Sequence, residues 1–223
     1  MSRFNPARYT VATARPIPVI LLLDTSGSMH GDRIKQLNEA VSDMLQSFKH
    51  QEKMETTIEV SIITFGKDVN FHLTANKADN TYFRSASEIE WEDLKADGMT
   101  PMGTAIKMAK GMLEDKTIIP SNAYRPTVVL ISDGNPTDDW QNAIQSFISE
   151  GRSAKCDRMS LGIGADFAPA VLNQFKSDQH ELFIAKDAKE LSFICTYLLN
   201  RGIDIIAQEY VPFDSNEYTV GVT

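Results

Sequence analysis

Asp24-Thr25-Ser26-Gly27-Ser28 places one carboxylate and two hydroxyls within five residues of chain. A second carboxylate, Asp133, lies in Ser132-Asp133-Gly134, and a further hydroxyl, Thr100, lies in Gly98-Met99-Thr100-Pro101-Met102-Gly103. Brought together, these groups would form a site of oxygen donors without His or Cys. Such a set selects a hard cation, and its mixture of hydroxyls, carboxylates and waters suits octahedral Mg²⁺, with Mn²⁺ or Ca²⁺ as alternatives. Taken alone, Asp24, Ser26 and Ser28 also fit a tight strand-to-helix turn with an N-cap, and Thr100 fits a helix cap.

The elements that would have to position these groups are legible from hydrophobic period. Ile17 to Leu23 (IPVILLL) is a near-continuous apolar run, the pattern of a strand covered on both faces of a parallel sheet. From Arg33 onward Ile34, Leu37, Val41, Met44, Leu45 and Phe48 recur at helical spacing, which makes the first βα unit. Thr57 to Phe65 and Val69 to Leu73, separated by Gly66-Lys67-Asp68, read as a hairpin whose second strand is an antiparallel edge. Thr104 to Leu113 reads as helix, Thr127 to Ser132 as strand, Trp140 to Ile148 as helix, Arg158 to Ile163 as strand, Leu182 to Ala185 as strand and Ala188 to Leu199 as helix. Alternation of this kind implies right-handed crossovers and a mostly parallel sheet. Ligands of such sheets bind beyond the carboxyl ends of the strands where the crossover direction reverses, so Asp24 and Asp133 meet if their strands flank that point.

Composition bounds the function. Among 223 residues, 42% are hydrophobic, enough for one sizeable core. Lys and Arg number 22 against 30 Asp and Glu, a net charge of −8 that disfavours nucleic acid and anionic membranes as partners. Residues Met1 to Pro16 lack the apolar core of a signal peptide, and no apolar run approaches the roughly 18 residues of a membrane span, so a cytoplasmic location is expected. Cys156 and Cys195 lack metal-type spacing and are expected to be buried free thiols. The acidic stretch Glu88, Glu90, Glu92, Asp93 and Asp97 reads as a solvated helix face, with Trp91 as a packing anchor. The tail from Gln208 to Thr223 lacks a convincing period and reads as an extended arm or a partly disordered segment, with Pro212 arguing against a helix.

Asp24-x-Ser26-x-Ser28, then Thr100, then Asp133 resembles the five-part metal-ion-dependent adhesion site (MIDAS) of von Willebrand factor A (VWA) domains, and the element order follows that family from about Pro16 to Asn200. The segments RPIPVILLLDTSGSM, DGMTPMGTA and ISDGNPTD further resemble bacterial TerY-like proteins of tellurite resistance and stress signalling. The resemblance implies a Rossmann-like, doubly wound sheet with helices on both faces and one antiparallel edge strand. It divides the chain into an N-terminal arm (1–15), a VWA domain (16–202) and a C-terminal extension (203–223). It also implies that Ser26, Ser28 and Thr100 coordinate the metal directly while Asp24 and Asp133 act largely through water. Neutral hydroxyl ligands leave the ion's charge poorly compensated, which favours an Asp or Glu carboxylate from a protein partner, and the TerY-like resemblance points to a protein kinase or phosphatase.

Two other functions compete. A haloacid-dehalogenase-like Mg²⁺ phosphohydrolase also ends a hydrophobic strand in Asp, and Asp138-Asp139 is superficially similar to its carboxylates. That mechanism, however, needs an acid two residues after the nucleophile, where this chain has Ser26. An extracellular adhesion domain is disfavoured by the absent signal peptide. Gly162-Ile163-Gly164 is a poor dinucleotide fingerprint, and Thr25-Ser26-Gly27-Ser28 lacks the first glycine of a nucleophile elbow. A non-catalytic, metal-dependent binding domain is therefore the expected function.

Overall fold

The computed structural model describes residues 15–51, 56–74, 81–133, 135–164, 169–186, 189–191, 193 and 212–214. Strand β1 (Arg15–Asp24) leads through a short 3-10 turn at Gly27–Met29 into helix α1 (Asp32–Gln51). Then come β2 (Thr56–Phe65), β3 (Val69–Phe71), β4 (Arg84–Ser85), α2 (Met102–Glu114), β5 (Thr127–Ser132), α3 (Trp140–Ser149), β6 (Asp157–Ile163), α4 (Pro169–Phe175) and β7 (Phe183–Ala185). Among the described residues the strands form one sheet in the order β3-β2-β1-β5-β6-β7, with β4 also on β2. The pairs β1–β2, β1–β5, β5–β6 and β6–β7 are parallel. The outer edge of β2 is shared by β3 and β4, both antiparallel.

The apolar run of β1 follows from its central position. Ile17, Val19, Leu21 and Leu23 pack with Leu37, Val41, Met44 and Phe48 of α1 on one face. Ile20 and Leu22 pack with Ile106, Ala109 and Leu113 of α2 and Ile144 and Phe147 of α3 on the other. Alternate residues are thus apolar on both sides, so the strand has no polar face to show. Pro16 and Pro18 precede Val19, the first β1 residue paired with β5, and the Pro16 carbonyl accepts from Tyr124 N at 3.2 Å. Their missing N–H groups therefore take nothing from the β1–β5 ladder.

Two stretches differ from the sequence reading. The acidic stretch is a single 3-10 turn at Ala86–Glu88 followed by irregular chain, and Asn38 of α1 clasps Leu94 through both its N–H (2.8 Å) and its carbonyl (3.1 Å). Its carboxylates therefore do not share a helix face. Trp91 does pack against the α1-side core, with its ring edge-on to His72 at 5.3 Å. The tail also packs where an arm was expected: Phe213 is buried in the core beneath α2 and α3, under the Arg152 guanidinium at 4.3 Å, and Arg152 Nε donates to Asp214 at 2.8 Å. Burial opposes ionisation of Asp214, but hydrogen bonds from Ser121 and Arg152 and the nearby cations hold its pKa down to about 2.

Cys156 is a buried free thiol, pushed up by that burial, while Cys195 and most of the expected helix from Ala188 to Leu199 lie outside the described residues. Among the described residues no helix is long and apolar enough to cross a membrane.

Candidate metal centre

The helices after β1 and β5 cover opposite faces of the sheet, so the crossover direction reverses between these two strands. Leu23 pairs with Ile131, which sets Asp24 beside Ser132 at the carboxyl edge. Asp24 is fully buried. Its Oδ1 accepts from Ser26 N at 2.8 Å and its Oδ2 from the Ser132 hydroxyl, so both oxygens are held. Burial lifts this carboxyl to about 6; the Ser132 and Ser26 hydrogen bonds oppose the shift, and the neighbouring Asp133 charge adds to it.

The chain then turns so that Ser26 Oγ and Ser28 Oγ stand 3.0 Å apart, and Ser28 Oγ donates to Asp133 Oδ1 at 2.8 Å. Met29, fully buried, pins the 3-10 turn to the core. Ser26 and Asp133 are buried whereas Ser28 is exposed, so the cluster meets solvent on the Ser28 side. Four of the five expected residues, Asp24, Ser26, Ser28 and Asp133, are thus joined in one hydrogen-bonded chain.

Thr100 stands in the adjoining loop, buried, and its side chain is not hydrogen-bonded to those four. Backbone contacts fix that loop instead: Asp97 N donates to Thr25 O at 2.8 Å, and Gly27 N to Gly98 O at 2.9 Å. The β2 end joins the same seam, with Thr25 N donating to Phe65 O at 2.8 Å. Two glycines make this approach possible. A Cβ on Gly66 would lie 2.6 Å from Thr25 O, and one on Gly98 would lie 2.4 Å from Lys67 Cα. Gly98 also has φ +83°, in the left-handed region.

The donor set fits a hard divalent cation. Adjacent ligands of an octahedral ion with bonds of about 2.1 Å stand about 3.0 Å apart, the separation of the two serine hydroxyls. Among the described residues no three Asp, Glu, His or Cys groups gather as a metal site, so an ion here would draw on other oxygen donors as well, hydroxyls and water among them.

The family model described as von Willebrand factor type A domain matches residues 19–195. The chain belongs to the VWA family. Inter-alpha-trypsin inhibitor heavy chain H4 of Sus scrofa is 28% identical over 170 residues, which cover 74% of this chain and 17% of that protein. Matrilin-3 of Gallus gallus is 24% identical over 160 residues, 70% of this chain and 33% of the relative. The chain therefore spans a minor part of the curated relatives it matches. Among solved structures, a von Willebrand factor type A protein from Catenulispora acidiphila superposes with TM-score 0.63 at 18% identity, over 83% of this chain and 42% of that one. Proximal thread matrix protein 1 from the mussel byssus, with a zinc-occupied MIDAS motif, gives TM-score 0.63 at 16% identity, over 85% of this chain and 48% of that one. These structural likenesses establish the fold, a VWA fold with a mostly parallel sheet.

The candidate site includes residues that the motif does not name. Ser132 holds the second oxygen of Asp24, and its place at the end of a buried strand beside Asp133 was the available signal. Thr137 Oγ1 accepts from Thr100 N at 3.1 Å, and Thr137 N donates to Thr100 O at 2.9 Å, tying the Thr100 loop to the loop after β5. Asp138 caps α2 from outside, accepting from Gly103 N at 2.8 Å and Thr104 N at 2.7 Å. Asp139, which precedes α3, accepts from the Asn142 side-chain Nδ2 at 2.9 Å and caps no backbone N–H of that helix. Arg33, in the first turn of α1, ion-pairs with Asp133 Oδ2, and nothing in its sequence context marks it.

Proposed function

We propose that this VWA domain is a divalent-metal-dependent protein-binding module that holds Mg²⁺, or Mn²⁺ or Ca²⁺ in its place, and recruits a protein through an Asp or Glu carboxylate. The observation that carries this reading is the 3.0 Å pairing of the Ser26 and Ser28 hydroxyls, linked on to the buried Asp133 and adjoining the buried Asp24 at the open end of the sheet. Ser26, Ser28 and Thr100 would supply hydroxyl oxygens to the ion, and Asp24 and Asp133 would balance its charge through the hydrogen bonds around it. The ion would supply a positive pole for the partner's anion. The zinc-occupied MIDAS of the mussel protein supports a metal at the equivalent place in this fold.

The reading is of binding and not of phosphoryl transfer. Ser26 stands where a general acid would be required, and the Asp24 oxygens are engaged by Ser26 N and Ser132 Oγ in place of a free, nucleophilic one. The TerY-like resemblance of DGMTPMGTA and ISDGNPTD supports a cytosolic bacterial setting, as an adaptor for a kinase or phosphatase in a stress response. That setting rests on analogy.

The test uses the immobilised chain in lysate with Mg²⁺, with EDTA, and as Thr100→Ala with Mg²⁺. Proteins identified by mass spectrometry in the first arm should be lost in the second. For those proteins, Thr100→Ala should weaken binding roughly ten- to a hundredfold, the scale of one contact to a charged group. Equal retention in all three arms would overturn the proposal.

A further inference from the structure

Asp133 has a fully buried side chain and two oxygens with different duties. Oδ1 accepts from Ser28 Oγ at 2.8 Å, and Oδ2 is held by Arg33 Nη1. The same Nη1 approaches the Ser28 carbonyl at 3.4 Å, so the guanidinium spans the turn that carries the serine hydroxyls and the carboxylate behind them. The approach is built into the backbone on the far side as well. At Gly164, after β6, an added Cβ would lie 3.1 Å from Arg33 Nε and 3.3 Å from Nη2, so the glycine leaves room for the side chain. Two buried carboxylates, Asp24 and Asp133, meet at this edge, and an uncompensated buried carboxylate is costly.

We infer that Arg33 is a positioning residue that compensates Asp133 in the metal-free site, and that its charge sets how tightly a divalent cation binds there. The inference rests on the metal-binding reading above. A divalent ion at Ser26 and Ser28 brings its own charge to the same carboxylate, so ion and guanidinium repel one another and compete for Asp133. Arg33 thereby does two opposed things. It stabilises the site without metal, and it weakens metal binding, keeping occupancy responsive to the cation concentration.

The experiment titrates Mn²⁺ by calorimetry and records thermal unfolding, in EDTA and in saturating Mn²⁺, for the wild type, Arg33→Gln, Arg33→Lys, Asp133→Asn and Arg33→Gln combined with Asp133→Asn. Arg33→Gln should melt earlier in EDTA yet bind Mn²⁺ more tightly, on the order of tenfold, the scale of one charge-assisted contact. The gap between its two melting temperatures should therefore widen. Arg33→Lys, which keeps the charge, should stay close to the wild type, and the gain from Arg33→Gln should shrink when it is made in an Asp133→Asn background and read against Asp133→Asn alone. An equal drop in both melting temperatures with unchanged Mn²⁺ affinity would make Arg33 a packing residue only and overturn the inference while leaving the metal site intact. Weaker Mn²⁺ binding by Arg33→Gln would also overturn it. Absence of Mn²⁺ binding in the wild type and every variant would remove the metal site itself, and this inference with it.

Discussion

Replacing Ser26 and Ser28 together by alanine is expected to lower Mn²⁺ affinity by roughly two to four orders of magnitude and to leave the fold in place. Each hydroxyl is treated as one contact to a charged group worth about 1.5–3 kcal/mol, and about 1.4 kcal/mol is tenfold in affinity. The fold should survive because the links that shape the turn are not made by these hydroxyls. Ser26 N still donates to Asp24 Oδ1, Met29 N to Ser26 O at 3.0 Å, and Gly27 N to Gly98 O. Asp133 loses the Ser28 hydroxyl but keeps Arg33. Calorimetric titration with Mn²⁺, alongside far-ultraviolet circular dichroism, measures both halves of the expectation. Unchanged affinity in a folded double variant would place any metal elsewhere.

Gly98→Ala should be the most damaging single change near the site, costing about 2–5 kcal/mol of stability. One part is the left-handed backbone at φ +83°, worth roughly 1–2 kcal/mol for a residue with a Cβ. The other is overpacking of about 1–3 kcal/mol, since the new Cβ would sit 2.4 Å from Lys67 Cα and N and 2.9 Å from Gly66 C. These neighbours are backbone atoms and cannot swing aside as a side chain would, so the seam joining the loops after β1, after β2 and before α2 must open. Gly111→Ala is the matched control, because its Cβ would meet nothing within 4 Å and alanine favours a helix over glycine by roughly 1 kcal/mol. Urea denaturation of both variants tests the argument. A Gly98→Ala protein within about 0.5 kcal/mol of wild type, the range of a neutral surface change, would contradict it.

Much of this architecture is legible in the sequence because β1 and β5 are buried on both faces and therefore carry unmistakable apolar runs. Both runs end in polar residues, and reading Asp24 and Asp133 as neighbours requires only that their strands flank the reversal point, as they do. Elements stabilised by distant residues are harder to read. Arg33 looks like any solvated residue in a first helical turn, and its partner lies 100 positions away. The acidic stretch around Trp91 has the composition of a helix face, but Asn38 holds Leu94 in irregular chain across 56 positions. Strand β4 is two residues long, too short for any period to register. Helix α4 did carry a signal in Val171, Leu172 and Phe175, all buried, at the i, i+1, i+4 spacing of a short amphipathic turn. Phe213, a lone aromatic beside Pro212, reads as part of an arm until Arg152 is seen to cover its ring.

The claim on which the account depends is that one divalent cation sits between Ser26 and Ser28, and an anomalous difference map from crystals equilibrated with Mn²⁺ tests it most directly. A peak is expected at roughly 2.1 Å from both serine hydroxyls, beside Asp24 and Asp133. A Mn²⁺-saturated crystal in which these hydroxyls face only water, or in which Mn²⁺ lies only elsewhere, would contradict it.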